Sequence, residues 1–133
     1  MVSDSPTVRQ AVIAALPEQD FKVRELTEGA KVRLAVLQSK PDLIVLDQQI
    51  GQMGGMATCL DLHLEQGAGR APRVPVLMLL DRRADVFLAR RSEAEGYVVK
   101  PLDPLRLARA ITALLQGGTY EDAAYRPVTV PLH

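Results

Sequence analysis

Two hydrophobic periods alternate along the chain. Behind Ser5-Pro6, a serine cap followed by a proline where a helix can spare its N–H, Val8, Val12, Ala15 and Leu16 recur at helical spacing until Pro17. Phe21-Lys22-Val23-Arg24-Glu25-Leu26 alternates and predicts a short, half-exposed strand. Thr27 is the predicted cap of a second helix, with Val32, Ala35 and Val36 on its apolar stripe out to Ser39 and Pro41 as punctuation. Leu43-Ile44-Val45-Leu46 is an unbroken branched apolar run that ends abruptly in Asp47, as expected of a strand buried on both faces of a parallel sheet. A loop with Gly51, Gly54 and Gly55 leads to a third predicted helix with Met56, Leu60 and Leu64 inward, broken at Gly67-Ala68-Gly69. Val74 to Leu80 is a second apolar strand with Pro75 at its start. Residues 82–94 predict a basic helix, and Gly96-Tyr97-Val98-Val99-Lys100 a third buried strand. Asp103-Pro104 opens the last helix, with Leu105, Ala108, Ile111, Leu114 and Leu115 inward, and Gly117-Gly118 stops it.

Strands alternating with helices through short linkers imply a parallel α/β sheet covered on both faces. Ligands of such sheets bind at the carboxyl ends of the strands. That rule selects Asp47, Leu80 with Asp81, and Lys100. Asp47 and Lys100 are each the first polar residue after a buried strand. They read either as the charged walls of a ligand site or as an ion pair joining two strand ends.

Composition narrows the classes. With 133 residues the chain is one domain, and 47% apolar against 24% charged residues excludes disorder. Sixteen basic and sixteen acidic residues cancel, so no overall field draws a nucleic acid or a membrane surface. A local basic patch around Arg82, Arg83, Arg90 and Arg91 stays open. No apolar run approaches the roughly 20 residues of a membrane span, and Met1-Val2-Ser3-Asp4 lacks the basic-then-apolar stretch of a signal peptide. Cys59 is the single cysteine, which excludes a disulfide framework and points to the reducing cytoplasm. Aromatics at 4%, with no tryptophan, argue against a base-stacking platform.

Pro41-Asp42-Leu43-Ile44-Val45-Leu46-Asp47 with glycines at 51–55, and Gly96-Tyr97-Val98-Val99-Lys100-Pro101 further on, closely resemble the receiver domain of bacterial two-component response regulators. Val2 to Arg9 looks like the end of that family's first strand and its acidic loop, so the resemblance covers residues 2 to about 116. It implies a flavodoxin-like (βα)5 doubly wound sheet in the order 2-1-3-4-5. Asp47 would accept a phosphoryl group from a phosphohistidine on a sensor histidine kinase or phosphotransfer protein. Asp4, Asp47 and the backbone carbonyl of Gln49 would hold Mg²⁺, Lys100 would contact the phosphoryl oxygens, and Pro101 would follow a cis bond. These roles suit phosphoryl transfer, which needs positioning and charge neutralisation more than it needs an acid or base.

The chain departs from the family at Ser3, which removes one carboxylate of the acidic pair, and at Leu80, where a hydroxyl is expected. It departs again at Asp81, where a small residue usually keeps the site open. Asp81 should repel an incoming dianion, or else stand in for the carboxylate lost at Ser3. Gly51 and Gly54 replace a usual proline and a frequent acid in the loop. Tyr97 aligns with the family's rotameric switch. Met1-Val2 is all that remains of a first strand, so the sheet is expected to be truncated there, or that strand replaced by other residues. The β-prone segment Val128-Thr129-Val130 is a candidate to pair with a sheet edge or the gap.

These features predict a receiver over residues 1–117 with an extended arm at 118–133, acting by protein contacts. The rival is a pseudo-receiver that binds partners without phosphorylation. In the family, helix 4, strand 5 and helix 5 form the usual partner surface; here Val86, Phe87 and Tyr97 beside the arginines could build a homodimer interface. His63 reads as a rim residue, Cys59, Met53 and Met56 as packing, and His133 as terminal. An enzyme is disfavoured because no Ser, Cys or His stands at a strand end. A DNA-binding regulator is disfavoured by zero net charge and by the roughly fifteen residues left after the last helix.

Overall fold

The computed structural model describes residues 1–16, 21–50 and 54–122. The tail segment 128–130, Pro17, Gly51, Met53 and His133 lie outside the described residues. The elements are α1 (Pro6–Ala14), α2 (Val32–Ser39), β1 (Ile44–Asp47), α3 (Gly55–Gly67), β2 (Val76–Leu80), α4 (Val86–Arg91), β3 (Gly96–Val99), α5 (Pro104–Leu115) and β4 (Tyr120–Glu121). One-turn 3₁₀ segments at Gly29–Lys31 and Arg83–Asp85 lead into α2 and α4.

Strands β1 to β4 pair in parallel and in sequence order. The remnant of the first strand sits beside β1. The Val2 N–H donates to Val45 O at 2.8 Å, and the Asp47 N–H donates to Val2 O at 2.9 Å. On its other side Ser3 N–H reaches Leu26 O at 3.0 Å and Leu26 N–H reaches Met1 O at 2.9 Å. Counting those two segments as strands one and two, the order is 2-1-3-4-5 with β4 added at the far edge. Met1–Ser3 thus join Leu26 to β1 at the carboxyl end of the sheet. Toward the amino end, a cavity of about 480 Å³ opens between Val23 and Arg24 on one side and Leu43 and Val45 on the other.

Strand side chains alternate between two cores. Ile44, Leu46, Val76, Met78, Leu80, Tyr97 and Val99 pack with Val32, Val36, Cys59, Leu62, Val86 and Ala89 from α2, α3 and α4. Val45, Leu77, Leu79 and Val98 face Val12 of α1 and Leu107, Ala110, Ile111 and Leu114 of α5. Because helices cover both faces, every residue of β1, β2 and β3 is buried, which is why these strands read as continuous apolar runs.

Several local expectations are corrected. Thr27 is not a helix cap; the chain turns through Gly29–Lys31 and α2 starts at Val32. Phe21 to Leu26 forms no extended strand: it meets Met1–Ser3 through the bridge at Leu26 and through the Arg24 carbonyl, which accepts from the Met1 amino group at 2.9 Å. Helix α3 buries Gly55, Thr58, Cys59 and Leu62, whereas Leu60 and Leu64 are exposed. The glycine sets that phase: a Cβ at Gly55 would stand 2.4 Å from Asp47 O, so the backbone face at 55 must press on β1. In α5 the buried residues are Leu107, Ala110, Ile111 and Leu114, and Leu105 is exposed. Asp103 caps this helix by accepting from the N–H groups of Arg106 (3.2 Å) and Leu105 (2.8 Å), which also holds its carboxyl below the usual range.

The segment after α5 packs on the domain. Tyr120 and Glu121 pair with Gly96 and Tyr97. Glu121 makes an ion pair with Arg90 of α4. Asp122, fully buried, accepts from Val99 N–H at 3.2 Å and from Arg106 Nη1 of α5 at 2.7 Å. Residues 120–122 therefore tie β3, α4 and α5 together and cover what would otherwise be the exposed edge of β3.

Candidate functional site

The carboxyl ends of Met1–Ser3, β1, β2 and β3 converge on Asp47. It closes β1, is 1% exposed, and receives donors on both oxygens. Lys100 Nζ lies 2.7 Å from Oδ1, the Gln49 N–H donates to the same oxygen at 3.2 Å, and the Ser3 hydroxyl donates to Oδ2 at 2.7 Å. Lys100 arrives there because its N–H extends the β2–β3 ladder to Leu80 O at 2.8 Å. The peptide bond between Lys100 and Pro101 is cis, as the resemblance implies.

Asp81 joins the same group: its Oδ1 is 2.7 Å from Lys100 Nζ. Its backbone is fixed by Gln48, whose side-chain Oε1 accepts from the Asp81 N–H at 2.9 Å. The Gln48 N–H in turn donates to Leu79 O at 2.9 Å. Gln48 is a site residue that sequence reasoning missed; its position directly after the strand-end aspartate was the available signal. Burial of Lys100 disfavours its charge, but its bonds to Asp47 and Asp81 more than offset this, and its pKa is raised above the ordinary 10.5.

Ser3 is fully buried and anchored at several points. Its Oγ also accepts from the Ser5 N–H at 3.0 Å, and its carbonyl accepts from Arg9 Nη1 at 2.8 Å. Arg9 is held in turn by Glu25 at 3.1 Å. Asp4, the next residue, is exposed at the rim. Leu80 and Tyr97 are 0% and 3% exposed in the core shared with α4. Leucine at 80 fills that volume with methyl groups and offers no donor to the site.

The resemblance implies Mg²⁺ on Asp4, Asp47 and the Gln49 carbonyl. Among the described residues no three acidic, histidine or cysteine side chains converge as a metal site. Asp47 already accepts from three donors, and at Ser3 a hydroxyl donates where a cation would need a second carboxylate to accept. This arrangement does not fit a tight divalent-cation cage.

A second constellation has the look of a catalytic relay and the physics of a packed core. Cys59 Sγ is 3.6 Å from His63 Nδ1, and His63 Nε2 is 3.5 Å from Glu95 Oε1. Cys59, however, is 0% exposed and donates to Ser92 O, and burial pushes its thiol up to about 12. It is a packing residue, as its place between Met56 and Leu60 suggests.

A doubly wound parallel sheet in this strand order, with a buried aspartate and a lysine gathered at its carboxyl edge, defines a flavodoxin-like fold. The chain belongs to the response regulator receiver domain family, whose pattern matches residues 1–112. It is similar to the DNA-binding response regulator MtrA of Mycolicibacterium smegmatis, 30% identical over 92% of this chain and 52% of that protein. It is also similar to the DNA-binding dual master transcriptional regulator RpaA of Synechocystis, 29% identical over 87% of this chain and 48% of that one. The chain thus spans about half the length of these curated relatives. Among solved structures, it resembles the receiver domain of a signal transduction histidine kinase from Syntrophus aciditrophicus. The TM-score is 0.74 and the identity 26%, over 98% of this chain and 94% of that one. No helix among the described residues is long and apolar enough to cross a membrane.

Proposed function

We propose that this receiver accepts a phosphoryl group on Asp47 from a phosphohistidine of a sensor kinase or phosphotransfer protein in the cytoplasm, and that it signals through protein contacts, with no direct contact to nucleic acid. The single observation that carries this reading is the 2.7 Å contact between Lys100 Nζ and the buried carboxylate of Asp47 at the carboxyl edge of the sheet. An Asp47 oxygen would attack phosphorus as the P–N bond to the imidazole breaks, the imidazole leaving with its electron pair and taking up a proton. Lys100 would neutralise charge on the equatorial oxygens, and the Gln49 N–H would orient the acceptor. Residues 1–117 would form the signalling unit, with the arm from 118 packed on it through residues 120–122.

The second reading, a pseudo-receiver, is favoured by the same site's self-sufficiency. Both Asp47 oxygens are occupied, Lys100 is shared with Asp81, and position 80 carries no hydroxyl. Intact mass after incubation with a small phosphodonor separates the two readings, run with and without Mg²⁺ and beside Asp47→Asn. An adduct on the parent alone supports phosphoacceptance; unmodified protein in every arm supports the pseudo-receiver.

A further inference from the structure

Asp81 sits where nothing in the phosphoacceptor reading gives it work, yet it is placed with care. Its backbone is clamped to the end of β1 by the Gln48 side chain, and its carboxylate takes one of the three N–H donors of Lys100 at 2.7 Å. Asp47 takes another at the same distance. The ammonium thus lies between two carboxylates, its side chain 23% exposed, with Asp81 at 26% and Asp47 at 2%. A phosphoryl group carried on Asp47 would bring anionic oxygens to this same ammonium, in competition with the Asp81 carboxylate.

We infer that Asp81 is a resident anion: its carboxylate holds the Lys100 ammonium in the unmodified chain, and an incoming anion must compete with it for that charge. The inference rests on the phosphoacceptor reading for what that position is, and it deepens that reading by naming the regulation built into the site. Displacement carries two penalties at once. The Asp81–Lys100 bond is charge-assisted, so losing it costs more than losing a neutral hydrogen bond. The freed carboxylate then stays beside the arriving dianion, because Gln48 holds its backbone in place. Anything that draws Asp81 away, such as a partner's cation docked at the end of β2, would open the site without touching Asp47.

The test uses the whole chain as Asp81→Ala and Asp81→Asn, since the Gln48 bond to the backbone N–H survives both. Inorganic phosphate is titrated while the Lys100 Cε resonance is followed, with Lys100→Gln to assign it. Phosphodonor adducts are measured by intact mass, and Mg²⁺ affinity is measured in parallel. Asp81→Ala should bind phosphate at least about tenfold more tightly than the parent, the equivalent of about 1.4 kcal/mol. Asp81→Asn, with the size but not the charge, should fall between, and Mg²⁺ affinity should be unchanged in both. Phosphate affinity in Asp81→Ala equal to or below that of the parent overturns the inference. So does a loss of Mg²⁺ affinity, which would make Asp81 a cation ligand instead. If phosphate binding at Lys100 rises as expected but no variant acquires an adduct on Asp47, Asp81 is the resident anion and it is the phosphoacceptor reading that fails.

Discussion

Replacing Asp122 with alanine should destabilise the protein although the residue lies beyond the stretch that matches the family. Its fully buried carboxylate accepts from the Val99 N–H and from Arg106 Nη1. Val99 is 1% exposed, so its N–H would lose its acceptor where water has little access, at about 1–3 kcal/mol. Arg106 loses a 2.7 Å partner, but its side chain is 24% exposed and keeps the Pro101 carbonyl, so rehydration limits that part to under about 1 kcal/mol. The sum is about 1–4 kcal/mol, which for a domain of this size lowers Tm by roughly 4–14 °C. Urea unfolding at neutral pH measures the first quantity, and amide exchange at Val99 reports whether the strap of residues 120–122 has lifted from β3. Asp122→Asn, which keeps an acceptor, should recover about half the loss. A change under about 0.5 kcal/mol with Val99 still protected would refute the claim that this carboxylate anchors the segment.

Gly55→Ala should disturb the site from below, because the new methyl would meet the Asp47 carbonyl at 2.4 Å; a loss of about 2 kcal/mol and shifted amide resonances at Asp47 and Gln48 are expected. Cys59 should resist thiol reagents at pH 8 in the folded protein and react fully in urea, since its thiol is buried and pushed up to about 12; rapid labelling of the native chain would contradict this. The folded state holds the Lys100 proton more tightly than the unfolded chain does, so the stability this adds is complete below the ordinary 10.5 and disappears as pH climbs past the higher folded value. The stability difference between parent and Lys100→Gln should therefore be flat from pH 7 to 9 and narrow above pH 10.5, and narrowing between pH 5 and 8 would count against it.

The chain's own hydrophobic pattern settles the middle of the sheet. The apolar runs at 43–46, 76–80 and 96–99 announce strands buried on both faces, and the polar residue that ends each run marks the carboxyl edge. Asp47, Asp81 and Lys100 were legible for that reason, as were the caps Ser5 and Asp103, which act on N–H groups two or three residues away. The tertiary structure decided what depends on neighbours distant in the chain. Which face of α3 turns inward follows from Gly55 lying on the Asp47 carbonyl, which helical periodicity alone does not contain. That Met1–Ser3 lie between Leu26 and β1 follows from bonds to Leu26, Val45 and Asp47, all far along the chain. The partners of Lys100, the anchoring of Asp81 by Gln48 and the burial of Asp122 are likewise three-dimensional facts. Local sequence encodes backbone preference and hydrophobic period; the direction in which a charged side chain is satisfied is set only when the strand ends meet.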